Sequence, residues 1–189
     1  MFKSLRRTIV ATATALTLGL GGAVLATSAA SAAPASVPAS AAPACSTANL
    51  SVWVNLSAGS VAAGTTSWPL DFTNPGSRAC TLSGYPGVSA TNAKGGQLGR
   101  AADRQPIFTA RTVTIPAGGT AHAYLFWLQV LNFTPSGCKL GTASLLKVYP
   151  PNRTAAAYTF FSLQVCTSTK PLYQYLFVTT VQPGVGRAL

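Results

Sequence analysis

The sequence predicts an all-β protein, an antiparallel immunoglobulin-like β-sandwich carrying two disulfides. Three observations predict it. Apolar residues recur at every second position through one short segment after another, the period of a half-buried strand. Turns rich in Gly and Pro separate those segments, and no amphipathic helix or strand–helix alternation interrupts them. The four cysteines, Cys45, Cys80, Cys138 and Cys166, form an even set in a chain that reads as exported.

The export reading comes from the first residues. Lys3, Arg6 and Arg7 precede an apolar or small run from Ile9 to Leu25, and Ala30-Ser31-Ala32 supplies a small-x-small cleavage motif. This is the layout of a secretory signal peptide over residues 1–32. A cut one residue later would set Pro34 beside the scissile bond. Thr8-Ile9-Val10 after Arg6-Arg7 suits general secretion better than twin-arginine export. Cleavage removes three of the thirteen Lys and Arg, leaving 157 residues with ten basic and two acidic side chains and a net charge of +8. That length fits one domain with a sizeable core. The apolar run Tyr124 to Val130 is too short to span a bilayer as a helix, so no integral membrane segment is expected in the mature protein. Residues 33–44, with Pro34 to Ala44 reading PASVPASAAPA, form a Pro/Ala/Ser tether, and residues 45–189 a single domain. Cys45 follows Pro43-Ala44 well beyond Leu25, which is not a lipoprotein context.

Within the domain, Leu50, Val52, Val54 and Leu56 alternate with Ser51, Trp53 and Asn55, and predict the first strand. Trp68, Leu70 and Phe72 then face one way and Pro69 and Asp71 the other, outward. Pro69 lacks an N–H, so this strand is expected to have an unpaired edge there. Asn74-Pro75-Gly76 makes a turn in which Gly76 is free to take positive φ. Lys94-Gly95-Gly96 reads as a hairpin tip between Val88 to Thr91 and Gln97 to Leu98. Val113-Thr114-Ile115 leads to the turn Pro116 to Gly119. Ala121 to Val130 is apolar on both faces and predicts a central strand. Strands at Ser144 to Tyr149, Tyr158 to Cys166 and Tyr173 to Val181 complete the series. Four cysteines allow three pairings. Moderate loop lengths, and the Pro135-Ser136-Gly137 turn before Cys138, make Cys45–Cys80 and Cys138–Cys166 the expected set.

The stretch from Asp71 to Val88, with its Asn-x-Gly turn, Cys80-Thr81-Leu82 step and Gly84-Tyr85-Pro86-Gly87 run, resembles the DUF4232 family. So does the later layout of Ile115-Pro116-Ala117-Gly118, the apolar strand through Trp127, and Cys138 and Cys166. The resemblance covers Cys45 to Gln182. It implies an actinobacterial domain of unknown function, secreted or lipid-anchored, built as a β-sandwich with two disulfides, and it implies no catalytic residue. The same stretch also has a plain architectural reading, in which Tyr85 packs down beside the disulfide.

The chemical inventory is thin. Two aspartates and His122 are a poor stock for acid–base or metal chemistry, and no phosphate-cradling glycine loop occurs. No catalytic, cofactor-binding or metal site is expected, and no cofactor. His122 is expected as a partly buried strand histidine bonded to backbone or a neighbour. Asp103 is expected to be held ionised by Arg100 and Arg104.

The charge is the anomaly. Lys94, Arg100, Arg104 and Arg111 fall on one hairpin and the loop after it, and Trp53 alternates away from its apolar neighbours. These five residues are the candidate binding surface, through attraction to a polyanion and stacking by an exposed aromatic. Tyr149, Tyr173 and Tyr175 are further aromatics late in the chain. The expectation is a secreted or wall-associated non-catalytic module, with an anionic envelope polymer or an extracellular protein as partner and no nucleic acid. The alternative is a small extracellular hydrolase of a cell-wall or extracellular polymer, which would need His122 and an aspartate to meet in one cleft.

Overall fold

The computed structural model describes residues 41–189, so the expected signal peptide and most of the expected tether lie outside the described residues. Twelve strands are present among them: β1 Ser51–Val54, β2 Ser60–Ala62, β3 Thr65–Thr73, β4 Cys80–Ser83, β5 Gly87–Thr91, β6 Asp103–Arg104, β7 Thr112–Ile115, β8 Thr120–Leu128, β9 Leu140–Tyr149, β10 Ala157–Cys166, β11 Leu176–Val178 and β12 Gln182–Pro183. The only α-helical segment described is the single turn Pro135–Cys138.

The strands form a seven-stranded sheet with the order β1-β3-β8-β11-β6, in which β2 joins β3 and β12 joins β8. A three-stranded sheet runs β10-β9-β5, and β4 pairs with β7. Every pair of strands is antiparallel except β11 with β6. The protein is therefore all-β, and alternation decides which residues enter the core. Val52, Val54, Leu70, Phe72, Ala121, Ala123, Leu125, Leu176 and Val178 point inward from the large sheet. Val88, Ala90, Leu146, Val148, Leu163 and Val165 come from the small one, and all of them belong to a single cluster. Trp68 bridges the layers edge-on to Phe161, with ring centroids 5.0 Å apart. Trp127 donates from Nε1 to the Gln164 carbonyl at 2.9 Å.

Several local expectations resolve in physical terms. Strand β8 is central, between β3 on one side and β11 and β12 on the other. Pro69 sits where β1 ends and β2 has not begun: β1 reaches Leu70, β2 starts at Ser67, and Pro69 offers only its carbonyl, to Asn55 N–H. The missing donor falls in that gap. Asn74 closes its turn by accepting the Gly76 N–H at 3.1 Å, and its amide donates to the Arg78, Ile115 and Pro116 carbonyls. Gly76 does not take positive φ; a Cβ there would crowd Asn74 Oδ1 at 3.1 Å. The expected long strand from Tyr173 to Val181 is instead a 3-10 turn at Pro171–Tyr173, the short β11, and a buried stretch leading to β12.

The disulfides are Cys45–Cys80 and Cys138–Cys166. The first anchors the start of the domain, where Cys45 N–H donates to the Thr81 carbonyl and Thr81 N–H to that of Pro43. The last residues of the expected tether are thus bound alongside β4. The second joins the helical turn to the end of β10.

Candidate functional site

The aspartate thought to face outward is buried. Asp71 and His122 lie directly opposite one another on β3 and β8, on the face of the large sheet away from the core. Residues 183–187 pass over that face. Gly186 N–H donates to Asp71 Oδ1 at 2.9 Å, His122 Nδ1 donates to the Gly184 carbonyl at 2.9 Å, and the Tyr124 hydroxyl donates to the Arg187 carbonyl at 3.0 Å. Asn55 Nδ2 reaches the Gly186 carbonyl at 3.3 Å, and Phe108 adds a ring 5.9 Å from that of Tyr124. Asp71 is therefore inaccessible although its strand face points away from the core, and His122 is only 8 % exposed. Alternation assigned the face correctly, but a distant segment of chain covers it.

Burial pushes the Asp71 carboxyl above its ordinary range, opposed by the Gly186 N–H, His122 and Asn55. Its Oδ2 has no hydrogen-bond partner. The fit is close: a Cβ on Gly186 would stand 2.1 Å from Pro69 Cβ and 3.2 Å from His122 Cγ. What the Asp–His pair does here is hold the end of the described chain against the sheet. Among the described residues, no group of three His, Cys, Asp or Glu stands together as a metal site would need.

The other aspartate, Asp103, lies 3.5 Å from the Arg100 guanidinium. Arg100 Nε also donates to Gln174 Oε1 at 2.7 Å, which fixes it on the body of the domain. Arg104 lies over the Tyr85 ring, 5.3 Å from its centre, a cation–π arrangement. Arg111 donates to Gln182 Oε1 at 3.4 Å. Lys94 is exposed on the tip beyond β5. Trp53 is 37 % exposed, and its Nε1 donates to Thr73 Oγ1 at 3.2 Å. It belongs to β1, whereas Arg104 belongs to β6 at the opposite end of the strand order. At about 4.8 Å per step the two are roughly 19 Å apart. The structure thus gathers Arg104 and Arg111 near the segment that leads to β12, and leaves Trp53 on the far edge.

The outward face of the small sheet presents a group that the sequence reading did not single out. Phe160 is 90 % exposed and Tyr158 is 50 % exposed, two residues apart on β10. Tyr158 pairs with Lys147 on β9, and Phe160 with Leu145, just before the β10 register shifts between Phe160 and Leu163. Lys147 Nζ stands 5.2 Å from the centre of the Tyr149 ring. The neighbouring Tyr149 and Tyr158 hydroxyls push the Lys147 ammonium pKa up. The Lys94–Gly95 tip borders this face: a side chain on Gly95 would begin 3.6 Å from the Tyr158 hydroxyl. Of Tyr149, Tyr173 and Tyr175, Tyr149 alone stands here. Tyr175 is fully buried with its hydroxyl donating to the Leu98 carbonyl, and Tyr173 packs on Phe133. The signal in the sequence was the alternation of β10 itself: Tyr158 and Phe160 fall out of phase with the inward Phe161, Leu163 and Val165.

Beside this face, a groove of about 540 Å³ lies between Leu56, Trp68, Ala143, Phe160 and Phe161. Among the described residues no helix is long and apolar enough to cross a membrane.

Residues 45–182 match the model of a family described as a domain of unknown function (DUF4232), and the chain belongs to that family. Neither curated proteins nor solved structures give a match.

Proposed function

We propose that this protein is an exported, non-catalytic module that holds an anionic polymer of the cell envelope or the extracellular space. One observation carries the reading: the exterior of the described domain is of nearly one sign. Ten Lys and Arg stand against two aspartates. Asp71 is buried under residues 183–187, and Asp103 is spent on Arg100. Seven of the ten cations are exposed and three are half-buried. An excess of one sign raises the local concentration of the opposite sign and releases counterions when a polyanion binds. The disulfides accord with an oxidising compartment, where the export signal would deliver the chain.

A hydrolase would draw on Asp71 and His122. Both are engaged with backbone of residues 184–186, and the raised carboxyl is shut away from solvent, so the pair supports anchoring over turnover.

The test is a salt gradient on immobilised heparin and on envelope fractions, with the oxidised protein. The proposal expects retention that weakens steeply with salt yet persists beyond about 150 mM, near physiological ionic strength. Elution below that concentration from every anionic matrix would contradict it. Salt-insensitive capture of a single envelope protein would point to a protein partner instead.

A further inference from the structure

Resting on that polymer-binding reading, we propose that the outward face of β9 and β10 is the binding subsite and that its ligand is an acidic polysaccharide. Sugar rings would lie against Tyr158, Phe160 and Tyr149, with a carboxylate at Lys147 Nζ.

The argument starts from Phe160. A phenylalanine 90 % exposed in a paired strand, just before its register shift, gives up the burial that normally stabilises it, and it stands beside a half-exposed tyrosine rather than alone. Exposed apolar residues that cluster mark interaction surfaces, whereas scattered ones need no explanation. On a pleated strand, residues two apart lie about 7 Å from each other on one face, and directly opposed residues about 5 Å apart. Tyr158, Phe160 and the paired Lys147 therefore form one contiguous strip, with Tyr149 continuing it under the lysine ammonium.

Two features of the strip select the ligand. Flat aromatic faces hold the C–H faces of sugar rings, so the polymer must contain rings; a chain of polyol phosphates would gain nothing from them. The cation is a lysine, a compact point charge among the rings, so the ring-bearing polymer must also carry acidic groups. Lys94, exposed at the bordering tip, extends the positive field along the strip. Single-stranded nucleic acid also stacks on aromatics, but it pairs stacking with cations that track a phosphate at every step. Here one lysine sits among three rings.

The experiment measures affinities of the oxidised full chain at fixed salt for polygalacturonate, its methyl ester, inorganic polyphosphate and oligo(dT). The proposal expects polygalacturonate to bind more tightly than the uncharged ester. It expects Tyr158→Ala with Phe160→Ala to weaken polygalacturonate by about tenfold or more while polyphosphate binding is unchanged. Lys147→Gln should reduce the preference for acid over ester more than Lys170→Gln does, and Phe160→Ser alone supplies the ring deletion with least risk to folding. The proposal is overturned if a folded ring variant binds polygalacturonate as the wild type does, if ester and acid bind equally, or if oligo(dT) binds as tightly and loses the same factor. If the wild type binds no polyanion at all, the broader function fails with it. If polyphosphate binds and the strip variants change nothing, only the subsite fails.

Discussion

On the outward side of β3 and β8, Pro69, Asp71, His122 and Tyr124 lie beneath residues 183–187, with Asp71 Oδ1, His122 Nδ1 and the Tyr124 hydroxyl each given a backbone partner. On the outward side of β9 and β10, Lys147, Tyr149, Tyr158 and Phe160 remain half or fully open. The strands are alike in alternation, yet one face buries its polar residues and the other exposes its apolar ones. The inversion teaches what each face is for. Acid and imidazole sit where they fasten chain to sheet, and the aromatic rings sit where no described segment covers them.

Neighbouring phenylalanines on β10 give the largest expected contrast. Phe161 is 6 % exposed and packs against Trp68, so Phe161→Ala should cost about 3–5 kcal/mol of stability in denaturant unfolding. Phe160→Ala, one residue away, should move it by no more than about 0.5 kcal/mol. Equal losses would mean that the strip belongs to the core after all. Next comes the covered face. Gly186→Val drives a branched side chain into Pro69 and His122 and should cost about 1–3 kcal/mol, with proteolysis newly reaching residues 183–189. An unchanged cleavage pattern would show that the segment is not held as described.

A smaller effect concerns pH. Because burial raises the Asp71 pKa in the folded state above its unfolded value, folding favours the protonated carboxyl. The stabilisation it contributes is full below the ordinary carboxylate range and is lost as pH rises through the raised folded value. Asp71→Asn, which keeps an acceptor for Gly186 N–H, should flatten that part of the stability–pH profile. A mutant profile parallel to the wild type would assign the slope elsewhere. Smallest of all, Trp53→Ala should leave polyanion retention unchanged, since Trp53 pairs with Asp71 on the outward face of the large sheet, not that of β9 and β10, and its Nε1 is already bonded to Thr73. Earlier elution of the variant would return Trp53 to the binding surface.

Much of this was legible in the chain. The β architecture followed from alternation and turns, and the disulfide pairing from loop lengths. Pro69 marked an interrupted edge before the edge was visible. The burial of Asp71 was not legible, because it depends on Gly186, separated from it by 115 positions. Period two says which residues share a face, never what crosses it. The open strip was half legible: alternation set Tyr158 and Phe160 out of phase with Phe161, Leu163 and Val165, but only the fold shows that no described segment crosses their face. Lys94, Arg100, Arg104 and Arg111 looked like one patch because they are close in sequence. In the fold, Arg100 is tied to Asp103 and Gln174, Arg104 to Tyr85 and Arg111 to Gln182, while Lys94 stands out by the aromatic strip.

The contrast between the two faces is tested most directly by hydroxyl-radical footprinting of the oxidised protein with and without polygalacturonate. The account predicts that Tyr158 and Phe160 are oxidised readily in the free protein and protected by the polymer. Tyr124, beneath residues 184–187, should be protected in both states, and Trp53 should be unaffected. Protection confined to Trp53, or a Tyr124 as reactive as Phe160 in the free protein, would contradict it.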